Sequence, residues 1–216
     1  MSKLFVFLGL LMAALVSDPA LAQSSGVTQR FLACLAERQP RDVRTLLSTS
    51  NADVARHAYE HLAGSNRCFD KSVGDHQFTP GELGFSIALL RGTLAEQALI
   101  AEEPKVDELQ PIPLQQKRYV RPWFAATGRN PAVDEMGACM ADTDSAGIMY
   151  LLRTQPGSDQ EGNAIGALTP ALTKCLSAGM RLDADPRGLR AALADALYQR
   201  LNNPSLSMPN VPERQH

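Results

Sequence analysis

What most constrains this chain is a repetition. Its four cysteines sit at equivalent places in two stretches of sequence that match each other in order. Phe31-Leu32-Ala33-Cys34-Leu35 aligns with Met136-Gly137-Ala138-Cys139-Met140. At the same offset Val43 meets Ile148, Leu46-Leu47 meets Leu151-Leu152, and Thr49 meets Thr154. Cys68 answers Cys175, and Leu90-Arg91-Gly92-Thr93-Leu94-Ala95-Glu96 answers Leu189-Arg190-Ala191-Ala192-Leu193-Ala194-Asp195. Three blocks in one order, with small gaps between them, point to an internal duplication.

Each copy reads as four helices. Phe31, Cys34 and Leu35, with Met136, Cys139 and Met140 in the other copy, recur three and four residues apart and make one apolar face. Val43, Leu46 and Leu47, with Ile148, Leu151 and Leu152, do the same for a second helix, begun near Pro40 in one copy and capped by Asp142 or Thr143 in the other. A third helix, capped by Asn51 or Asp53 and by Ser158, is expected to end at the second cysteine of each copy. Ile165, Leu168, Leu172 and Cys175 form its stripe in copy two, where Pro170 implies a kink or a late start. The fourth helix carries Leu83, Ile87, Leu90 and Leu94, or Leu189, Leu193, Leu197 and Leu201, and matching starts at Thr79-Pro80 and Asp185-Pro186. Sparse aromatics, 6% of the chain, also favour helix over sheet. The expected fold is all-α: two tandem four-helix units packed side by side, over 26–102 and 131–203.

Helices this short bury too little surface to stand alone, and small units often need a covalent staple. Four cysteines allow three pairings. The duplication selects one of them, Cys34 with Cys68 and Cys139 with Cys175, because each copy then keeps its own bridge. Zinc is a poorer use, since no cysteine lies two to four residues from another.

A bridge requires an oxidising compartment. Residues 1–22 supply the route there: Lys3, an apolar run from Leu4 to Val16, then Ala20-Leu21-Ala22 as a cleavage site before Gln23. The run is shorter than the ~20 residues that span a bilayer, so no stable membrane insertion is expected after cleavage. The form of this leader is that of a bacterial exported protein, periplasmic or secreted. The formal net charge of −2, with signs mixed along the chain, argues against nucleic acid as a partner.

Residues 103–130 hold Pro104, Pro111, Pro113 and Pro122 without a helical period and read as a connector. Within it Lys117-Arg118-Tyr119-Val120-Arg121-Pro122-Trp123-Phe124 mixes basic and aromatic side chains. Arg121, Trp123 and Phe124 are thus candidates for binding an anionic or aromatic partner. Alternatively Trp123 and Phe124 plug the seam between the units, with the basic groups in solvent. Residues 204–216, with Pro204, Pro209 and Pro212, read as a flexible tail.

Three motifs suggest chemistry. His57-Ala58-Tyr59-Glu60-His61 has the H-x-x-E-H pattern, in which two histidines four apart share a helix face and a glutamate can activate water. Catalytic zinc needs a third ligand, for which Glu135 is available downstream, yet copy two has no histidine in the matching helix. Gly84-Phe85-Ser86-Ile87-Ala88 lacks the second glycine of a nucleophile elbow. Asp142-Thr143-Asp144-Ser145-Ala146-Gly147 opens like a calcium loop but has Arg153 at the closing position. No catalytic residue or cofactor follows from these patterns. The charged residues shared by both copies, Arg91 with Arg190 and Glu96 with Asp195, read as ion pairs between helices.

The function expected is therefore that of an exported, non-enzymatic protein that binds a protein or small-molecule partner. The alternatives are a metal or small-molecule binding protein using His57 and His61, and a hydrolase of unrecognised type.

Overall fold

Pro40 illustrates how the local sequence sets the helices. Its missing N–H falls in the first turn, where no intrahelical partner exists, so α2 (Pro40–Ser48) starts there and buries Leu46 and Leu47. A computed structural model describes residues 19–65, 67–68, 85–114, 119–176 and 185–203, with side chains from residue 27 onward. Most of the expected leader, the Thr79-Pro80 motif, Leu83 and the tail lie outside these residues. α1 (Pro19–Arg38) runs across the expected Ala22–Gln23 cleavage site and buries Phe31, Leu32, Cys34 and Leu35.

α3 (Ala52–Ala63) is capped by Asn51, whose side-chain oxygen accepts from the backbone N–H of Asp53 at 2.9 Å and of Val54 at 3.0 Å. It ends at Gly64, short of Cys68, so the expectation that this helix reaches its cysteine is corrected. The chain leaves the helix at that glycine, and Cys68 is buried beyond it. α4 (Ile87–Ala101) begins at a Ser86 cap, which also removes the expected Thr79-Pro80 start for this helix.

The connector is structured where it is described. It holds the five-residue α5 (Glu103–Asp107), with Val106 buried, and a 3-10 turn over Pro122–Ala126, with Trp123 and Ala126 buried. Two short helical segments therefore lie within a connector whose sequence carries no helical period. Segments this short carry too few turns for periodicity to register, and tertiary burial holds them.

α6 (Pro131–Thr143) starts at an Asn130 cap with Pro131 in its first turn, and α7 (Ser145–Leu152) at an Asp144 cap. Asp142 and Thr143 do not cap α7 because both still belong to α6. α8 (Asp159–Cys175) is capped by Ser158 and continues through Pro170 to its cysteine, so of the kink or late start expected there, the late start is absent. Asp185, accepting from the N–H of Arg187 and Gly188, caps α9 (Pro186–Asn202).

The chain is thus all-helical among its described residues, with α1–α4 before the connector and α6–α9 after it. Cys34 is bonded to Cys68 and Cys139 to Cys175, with Cα separations of 5.4 and 5.6 Å. Each bridge closes a loop, of 34 and 36 residues. In the chain-entropy model each would stabilise the fold by about 3–4 kcal/mol. Among the described residues no helix is long and apolar enough to cross a membrane.

α4 and α9 form the centre. A Cβ placed on Gly92 would lie 2.3 Å from the Ala191 carbonyl oxygen and 2.4 Å from the Ala191 Cβ, so the two backbones meet there with no room for a larger side chain. α2 packs against α3 and α4, and α6 and α7 against α8 and α9. The buried apolar residues of both halves make one continuous cluster rather than two.

Candidate functional site

Two arginines organise the interior. The Nε of Arg91, on α4, donates to Asp195 on α9 at 2.7 Å, and its terminal nitrogens donate to the carbonyls of Leu46 and Leu47. Arg190, on α9, donates through Nε and a terminal nitrogen to Glu96 on α4 at 2.9 and 2.7 Å. Its terminal nitrogens also reach the carbonyls of Leu151 and Leu152 at 3.0 and 2.8 Å. The last carbonyls of a helix have no partner within it, and the helix dipole favours a cation there. Arg91 thus closes the end of α2, and Arg190 the end of α7. Each pairs with the acid of the opposite half.

A second network surrounds the first. Arg129 donates to Asp134 at 2.7 Å, to Ala88 O at 3.3 Å and to Asp195, while Thr127 donates to Asp134 at 2.6 Å. Gln199 donates to Asp195 at 3.0 Å and to Leu47 O at 2.6 Å. Burial would raise the Asp195 carboxyl, but Arg91 and then Arg129, with hydrogen bonds from Arg129 and Gln199, hold it below the usual carboxylate range. Burial does raise Asp134, for which Arg129, its cationic partner among the described residues, compensates only partly. None of these single-copy residues stood out in the sequence, because neither a motif nor the repeat marks them.

The connector candidates lie inward. Arg121 is buried and donates to Asp142 at 3.1 Å; Trp123 is 1% exposed and meets Phe124 edge-on at 4.6 Å between ring centroids. The expectation that the basic groups here face solvent does not hold for Arg121, because Asp142 supplies its counter-charge under the chain. Ile112 N–H donates to Asp142 O at 2.7 Å and Arg200 bonds to the Gln110 carbonyl, which straps the connector across the end of α6. Burial first, and then the Asp142 charge, raises the Tyr119 hydroxyl. Phe124 remains partly exposed, and Val120 is exposed.

The motif residues separate. Ser86 is a helix cap, and Asp142 a partner of Arg121 and Arg200. Glu135 sits on α6 and is not among the residues lining the groove at His57 and His61. Those two histidines face solvent along α3, with ring centroids 5.1 Å apart and planes tilted by 47°. They line an open groove of about 430 Å³ between α2 and α3, with Asp42, Thr45, Asp53 and Val54. His61 Nδ1 lies 3.9 Å from Asp42 Oδ2. Among the described residues no three His, Cys, Asp or Glu side chains converge in an arrangement that could hold a metal ion.

Compared with known protein families, curated proteins and solved structures, the chain matches none of them.

Proposed function

We propose that this is an exported, non-catalytic binding protein built from two diverged copies of one four-helix unit, with its ligand-facing surface in the groove between α2 and α3. The observation that carries the reading is a division of labour. Arg91, Arg190, Glu96 and Asp195, the charged residues common to both halves, are bound to one another and to helix ends. His57 and His61, which have no counterpart in α8, stand free of that framework and line an open groove. The charged residues held in common serve the fold, and these two exposed histidines, peculiar to one copy, are free to serve binding.

The mirrored arginine contacts and the Gly92–Ala191 meeting of equivalent positions support the duplication. Export is supported by the leader sequence and by two disulfides, which persist in oxidising compartments. A second reading places the partner on the connector, where Ile112, Leu114 and Val120 are exposed.

The test is affinity retention from the exported fraction of the producing cells. Wild type is compared with His57→Ala/His61→Ala and with Val120→Asp. Loss of the retained component in the histidine variant alone supports the groove; loss in Val120→Asp alone moves the site to the connector. Recovery of the whole chain in the cytoplasm, with residues 1–22 still attached, would overturn export.

A further inference from the structure

We infer that the groove between α2 and α3 binds one borderline divalent transition-metal cation, of which zinc is the type, through the imidazoles of His57 and His61. The inference rests on the reading of that groove as the binding surface and deepens it.

Asp53, His57 and His61 follow one another at steps of four residues along α3, so all three stand on one face of the helix. The two imidazole rings are 5.1 Å apart between centroids. Two side-chain nitrogens at about 2.0–2.1 Å from one ion are the ordinary coordination of zinc by histidine, and rings at this separation reach it by rotation about their side-chain bonds. His61 is 61% exposed, so no packing holds its ring in place.

Asp42 comes from the facing helix and is the group that gives the pair a direction. Its Oδ2 lies 3.9 Å from His61 Nδ1. A carboxylate that accepts a hydrogen bond from the Nδ1–H of a histidine fixes the tautomer with Nε2 free, and makes that nitrogen the better ligand. At 3.9 Å Asp42 and His61 are not hydrogen-bonded, and Asp42 would become a positioning residue, rather than a ligand, once the exposed His61 ring turns onto the ion. Asp53 is engaged by Arg56, which leaves Asp42 as the carboxylate available to His61.

With two protein ligands the remaining coordination positions belong to water or to a group from a partner. Such a site is open, and exchanges its metal. Imidazole selects zinc, copper and nickel over calcium and magnesium, whose preferred ligands are oxygen.

The test uses the tag-free full chain with both disulfides intact, titrated with zinc alone by calorimetry and by competition with a chromophoric chelator. One zinc per chain is expected for wild type, and none at the same concentrations for His57→Ala or His61→Ala. Asp42→Asn is expected to weaken binding by about ten-fold or more. Because these side chains are on the surface, each variant is checked for unchanged helical signal. Zinc should raise the melting temperature of wild type and leave that of His57→Ala unmoved. No binding to wild type, or binding that survives both histidine variants, overturns the inference. If zinc fails to bind while partner retention still depends on His57 and His61, the metal assignment falls and the groove reading stands.

Discussion

Arg91 Nε and Asp195 Oδ2 meet at 2.7 Å with neither side chain exposed to solvent. The pair joins α4 to α9 at the centre of the molecule, beside the point where Gly92 lies against Ala191. Burying two charges costs several kcal/mol per ion, and only mutual attraction with added hydrogen bonds offsets it. Arg91 has the α2 carbonyls, and Asp195 has Arg129 and Gln199.

Removing either partner strands the other. Asp195→Ala should destabilise the protein by about 3–5 kcal/mol in urea or guanidinium unfolding, since two buried guanidiniums lose their shared carboxylate. Lys105→Ala, which removes an exposed ion pair with Glu102, should cost less than about 1 kcal/mol under the same conditions.

Gly92→Ala should destabilise by about 1–3 kcal/mol, because the added methyl meets the Ala191 backbone and forces α4 and α9 apart. Ala191→Gly in the same chain removes the Ala191 Cβ and should restore part of that loss. Failure of the second substitution to help would mean that the clash with the Ala191 carbonyl dominates.

The pH dependence has two signs. Asp195 is held below its unfolded value of about 3.9, so its contribution is complete above that pH and is lost as pH falls through the folded value. Asp134 and Asp142 are raised, first by burial, so they favour folding below about pH 3.9 and lose that contribution as pH rises through their folded values. At neutral pH Asp134→Asn should therefore cost less than Asp195→Asn. Stability measured from pH 3 to 7 should fall less steeply on acidification in Asp195→Asn than in wild type.

Reducing both disulfides should lower stability by about 3–4 kcal/mol per bridge in the chain-entropy model. Helical circular dichroism followed through a thermal melt, with and without reductant, measures it. Peptide mapping of the oxidised protein should find no bond between a cysteine before residue 102 and one after residue 131.

Trp123→Ala should destabilise by about 3–5 kcal/mol, since the ring is buried against its surroundings rather than presented to a partner. Thermal unfolding of the variant checks it independently of any binding assay.

Much of the helical order could be read directly. Pro40, Asn51, Ser158 and the Asp185-Pro186 step act through the few residues that follow them, and each begins a helix as local chemistry demands. The cysteine pairing was legible because the matching sequence blocks, which place one cysteine of each pair at equivalent positions, ranked three possibilities. The connector was not legible. Trp123, Val106 and Arg121 are buried by distant elements, and no local period records that. Nor could the sequence distinguish an exposed from a packed His57, since the answer depends on what lies across from α3.

What the sequence determined by itself is the set of parts: helices with one apolar face, a cysteine pair in each half, and an arginine five residues before an acid in both α4 and α9. Five residues advance a helix by about 140° around its axis, so Arg91 and Glu96 cannot meet on α4, nor Arg190 and Asp195 on α9. Only the tertiary structure decided where those charges go. Crossing α4 and α9 at Gly92 and Ala191 brings each arginine to the acid of the other helix, Arg91 to the carbonyl end of α2 and Arg190 to that of α7. The partner of a buried charge is set by which backbones can approach closely, and that belongs to the packed molecule.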